Sequence, residues 1–152
     1  MIHAHSFLRW VVLILALLTI IKSFSGMSNK KAFGAADRKM PLFFMISMDI
    51  QLLLGLVLYF TGAWGVTNIR NQGMSNVMKD SVSRFFAIEH TVGMFLAIIF
   101  AHVAFAATKK QMDDTAKFKR IFIFSLLSLL AILVSIPWPF REMIGRPLFP
   151  GM

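Results

Sequence analysis

The sequence predicts an all-α protein, a polytopic membrane four-helix bundle, from three observations. Of its 152 residues, 57% are hydrophobic and only 15% charged, well short of the roughly 25% charged residues of a soluble domain. The mean hydropathy is +0.71. The apolar residues gather into four runs, 7–21, 41–63, 85–107 and 121–138. With its flanks, each meets or approaches the about 20 residues that a helix needs to cross a bilayer. Helices are expected at about 5–25, 41–63, 84–107 and 120–138. Together they use up most of a single domain, 1–152, and leave no room for a separate soluble one.

The first run has an apolar centre, but only Arg9 stands before it and "KSFSGMSNKK" after it offers no small-x-small cleavage site. It reads as an uncleaved first helix. Pro41 suits the first turn of the second helix, where a missing N–H is tolerated. The polar stretch 65–83, containing "NQGMSN", is expected to form a short surface segment. On the third helix Gly93, Ala97 and Ala101 recur every four residues, and Ser125, Ser128 and Ser135 mark one face of the fourth. Close packing and interhelical hydrogen bonds drive helix association in lipid, so these faces should look inward. The fourth helix should stop at "IPWPFRE", because Pro137 and Pro139 cannot continue it.

The net charge is +9, but the charges are not gathered on one helix face or in a basic tail, so nucleic acid is not an expected partner. They lie in the connections. Lys22, Lys30, Lys31, Arg38 and Lys39 follow the first helix; Lys109, Lys110, Lys117, Lys119 and Arg120 follow the third. Arg9, Arg70, Lys79, Arg84, Arg141 and Arg146 occupy the other side. The positive-inside rule then places both termini on the periplasmic side of a bacterial inner membrane. The lipid bilayer is the first partner.

The absence of cysteine excludes disulfides, iron–sulfur clusters and thiolate ligands. There is no activated serine arrangement, phosphate-binding glycine loop or zinc-type spacing, so nothing supports hydrolysis or group transfer. The residues point to an electron carrier or accessory subunit rather than a catalyst.

Polar groups inside the spans carry what functional signal there is. Helix direction sorts them by depth. His5, Arg9, Glu89 and His90 fall in the outer half; Asp49 and His102 fall in the inner half. Histidines on separate helices of a bundle at one level suit haem b, with His5 and His90 as axial ligands. Met94, one turn below His90, is an alternative ligand, and Arg9, Arg141 and Arg146 are available to propionates. The same residues also have plain structural readings. Glu89 with Arg9 makes an ion pair fixing helix register, His3 and His5 sit in the headgroups, and His102 bonds Asp49 or a backbone carbonyl. On those readings no cofactor is bound. The protein is then an accessory subunit of a larger inner-membrane complex, respiratory or secretory. A proton or ion pathway is a third class, with Asp49 and His102 as a proton-handling pair and a homo-oligomer supplying the pore.

Blocks running through most of the chain resemble a family of small four-helix membrane proteins of Bacteroidetes-type bacteria, commonly labelled "cytochrome b-like". They are "HAHSFLRWVVL", "DIQLLLGLVLYF", "MKDSVSRFFAIEH", "AKFKRIFIF", "IPWPFRE" and "GRPLF". They include His5, Arg9, Glu89, His90, Arg141 and Arg146. The resemblance implies haem and electron transport. It also implies a histidine where Asp49 stands and another where Phe105 stands, so any inner haem of relatives would be lost or rebuilt here.

Overall fold

In the computed structural model, residues 1–149 are described, and helices account for all their regular structure. α1 spans Ile2–Ser28 and α2 spans Lys39–Thr61. The outer connection folds into α3 (Val66–Gln72) and α4 (Met74–Lys79). The third span is compound: α5 (Ser81–Arg84), a π-helical turn at Phe85–Glu89, then α6 (His90–Ala107). α7 spans Asp114–Ser135. Four stretches are long and apolar enough to cross a membrane, which makes this a multi-pass membrane protein by length and composition.

The helix ends have local causes. At the end of α1, Lys30 adopts φ 48, while Lys30 N–H donates to the Met27 carbonyl and Lys31 N–H to that of Gly26. This is a Schellman cap with lysine in the position glycine usually takes. Pro41 does lie in the first turn of α2. The Asp80 carboxyl caps α5 by accepting from Ser83 N–H at 2.7 Å. The last span begins at residue 114 rather than 120, because the Asp113 carboxyl accepts from Ala116 N–H and starts the helix earlier. It ends at 135 rather than 138. Pro137 drives Ile136 to extended backbone, φ −74 and ψ 133.

α7 packs on both α1 and α6, and α2 closes the bundle against α1 and α6. The small-residue faces do look inward. Ala97, Ala101, Ser125 and Ser128 are fully buried, and Ser128 Oγ donates to the Ala97 carbonyl at 2.7 Å. A side chain at Gly93 would overlap Ser135. The two basic connections meet at one end, where Phe33 packs on Phe118 and Lys117 lies over Phe33. The opposite end gathers the tail: Arg146 lies over Phe86 and Trp64, and Trp10 stacks on Phe149.

Candidate functional site

Two pairs of polar side chains form at different levels of the bundle, His5 beside His90 and Asp49 bonded to His102. At the outer level, α1 presents His5 and α6 presents His90, with ring centres 6.2 Å apart and planes at 68°. His90 Nδ1 is 2.8 Å from the carbonyl oxygen of Ser135. A carbonyl only accepts, so Nδ1 carries the proton and the neutral ring keeps a lone pair on Nε2. His5 Nδ1 is buried without a hydrogen-bond partner. Gln51 of α2 donates to the His5 carbonyl at 3.0 Å. Gly55, one turn further, lies against the imidazole: a Cβ there would stand 3.4 Å from His5 Cε1.

The separation of the ring centres would allow both His5 and His90 to hold one haem iron, were haem bound. With metal–nitrogen bonds of about 2.0–2.1 Å, two imidazoles on opposite sides of one ion have centres up to about 6.3 Å apart. An Nδ1–H held by a backbone carbonyl is the arrangement that aims Nε2 of a ligating histidine. The space is another matter. The cavity below the rings, lined by Arg9, Val12, Met48, Gln51, Met94 and Ile132, has a volume of about 10 Å³. That is room for one water. A porphyrin would not fit in that cavity as it stands. Among the described residues, no three histidine or carboxylate side chains gather to hold a bare metal ion.

The arginines are engaged elsewhere. Arg9 is only 9% exposed; its Nη2 donates to the Leu148 carbonyl, which also accepts the Trp10 indole N–H at 3.2 Å. Arg141 Nη1 donates to the Val134 carbonyl at 3.0 Å, and its guanidinium lies over Phe85. Arg146 is stacked on aromatic faces. The ion pair read between Glu89 and Arg9 is not formed. Glu89 accepts from Arg84 Nε at 2.7 Å and is exposed. Adjacent helical residues point about 100° apart, so turning His90 inward turns Glu89 out.

The inner group is His102 with Asp49, whose Nε2 and Oδ1 are 2.8 Å apart. The hydrogen bond read from sequence is present, but its surroundings are unexpected. The side chains are 47% and 42% exposed, on the outside of the bundle. Asp49 lies ten residues beyond Lys39, about 15 Å along the axis, and His102 seven before Lys109, about 10 Å. Both therefore face the hydrocarbon region, where a charged side chain costs about 2.5–3.5 kcal/mol. Phe105, one turn below His102, is covered by the cations of Lys109 and Arg38.

Sequence reasoning missed Gln51, Gly55 and Ser135 as partners of the histidines. Two of these stand in plain view as the small and polar positions of "DIQLLLGLVLYF". The π-helical turn that sets the phase of His90 leaves no sequence signal. No family model, curated protein or solved structure matches the chain.

Proposed function

We propose that the protein is a b-type cytochrome-like electron carrier of the bacterial inner membrane, with haem b held between α1 and α6 by His5 and His90. The observation that supports this best is the neighbouring pair of imidazoles, one of them held by Ser135 in the tautomer that leaves Nε2 free as a ligand. Haem so held would supply one-electron transfer near the periplasmic surface. The chain's own part is positional. Ser135 fixes the His90 ring, Gln51 fixes the backbone that carries His5, and the tail clamped by Arg9 and Trp10 covers the outer end. The ten-to-six balance of basic residues supports both termini lying in the periplasm. An optical spectrum of the purified protein tests the reading.

A second reading is a cofactor-free accessory subunit of a larger inner-membrane complex. It is favoured by the arginines, since Arg9 and Arg141 are bound to backbone carbonyls rather than free for propionates. It predicts co-purification with that complex and no chromophore.

A further inference from the structure

The Asp49–His102 pair is the least explained feature of the molecule. It lies outside the bundle, away from His5 and His90, and among the described residues nothing covers it. One hydrogen bond joins it, between His102 Nε2 and Asp49 Oδ1. Among the described residues, the second carboxyl oxygen and the second ring nitrogen have no partner. The pair therefore offers one unused acceptor and one unused donor or lone pair at the same depth, on a surface that meets lipid. Around it the exposed side chains are large and apolar: Ile46 and Leu53 on α2, Phe95 and Ile99 on α6. α2 is also the least covered span, with 17% of its apolar window buried.

We propose that two copies of this chain associate through the Asp49–His102 pair, α2 and α6 of one copy packing on those of the other about a two-fold axis. A two-fold interface sets the same patch on both sides, so it must be self-complementary. This one is. In the tautomer that carries Nδ1–H, His102 of each copy donates to the free Asp49 oxygen of the other, which closes a ring of four side chains and satisfies the polar groups that lipid cannot. An unrelated partner would have to bring both a donor and an acceptor to this depth, whereas a second copy brings them by symmetry. The apolar flanks add shape contact without adding charge. The inference is independent of the haem reading.

The chain contains no cysteine, so a single engineered one reports contact without background. Ile99→Cys lies one turn from His102 on the proposed face, and Leu130→Cys, also exposed, lies on α7 away from it. Treatment of native membranes with a short bismaleimide should give a species of twice the 17.2 kDa chain mass for Ile99→Cys and not for Leu130→Cys. Adding Asp49→Leu with His102→Leu should weaken the cross-link about tenfold or more, as expected for lost buried hydrogen bonds. The exchanged pair, Asp49→His with His102→Asp, should restore it. Equal cross-linking at the two cysteines, or an Ile99→Cys adduct only with a different protein, overturns the proposal.

Discussion

The Ser135 carbonyl accepts the Nδ1–H of His90 at 2.8 Å, and the side chain of the same serine fills the space above Gly93. One residue near the end of α7 thus sets both the ring orientation on α6 and the distance between the two helices.

A Cβ at residue 93 would stand 3.2 Å from Ser135 Cβ and overlap its hydroxyl. Gly93→Ala should therefore lose about 1–3 kcal/mol through overpacking. Adding Ser135→Gly should recover much of that loss, because the backbone carbonyl that holds His90 is kept. Thermal unfolding in detergent of the two single variants and the pair reads both effects.

The buried serines of α7 separate into two kinds. Ser128 Oγ bonds across to α6, whereas Ser125 Oγ is buried without a partner. Ser128→Ala should destabilise by about 0.6 kcal/mol, the average for an interhelical hydrogen bond in lipid. Ser125→Ala should be neutral or stabilising, since it removes an unsatisfied hydroxyl. Equal losses in denaturant titrations of the two variants would contradict this.

Leu148 is the acceptor for both Arg9 and Trp10. Removal of residues 148–152 leaves a buried guanidinium short of an acceptor and should destabilise the protein by about 1–3 kcal/mol. Arg9→Met in the shortened chain should reverse part of the loss. The same substitution in the full chain should not stabilise. Melting temperatures of the four proteins form the test.

Outside the membrane, Asp37 ties the first basic connection. Burial alone would raise its carboxyl, but the Lys31 ammonium at 2.7 Å, the Gly34 amide at 3.0 Å and the charge of Lys22 outweigh it. The group is held below its ordinary value of 3.8. Its stabilisation is therefore present above that value and lost as pH falls through the lower folded one. The Gly34 amide resonance should follow this transition below pH 3.8 in the native protein and lose it in Asp37→Asn. A Gly34 titration midpoint above 3.8 would contradict the assignment.

Much of the bundle is written in residue type. Spans follow from apolar length, the α6–α7 seam from Gly93, Ala97 and Ala101 facing Ser128 and Ser135, and the stop of α7 from Pro137. The depth sorting of His5 with His90, and of Asp49 with His102, follows from helix direction and rise alone. Rotation about the helix axis is less legible. The π-helical turn at Phe85–Glu89 shifts the phase of everything after it, so whether Glu89 or His90 faces inward cannot be read by counting. Nor can burial: Asp49 and His102 carry the composition of an interior pair and stand outside. The tail is least legible of all. Nothing in "GRPLF" announces that the Leu148 backbone carbonyl will hold Arg9, because backbone acceptors have no sequence signature.

Whether His5 and His90 hold haem is read from the absorption spectrum of protein purified after haem-replete expression. The expected result is a Soret band and a sharp α-band on reduction, both lost in His5→Ala and His90→Ala and both kept in His102→Ala. A folded, colourless protein, or bands that survive the loss of His90, would contradict it.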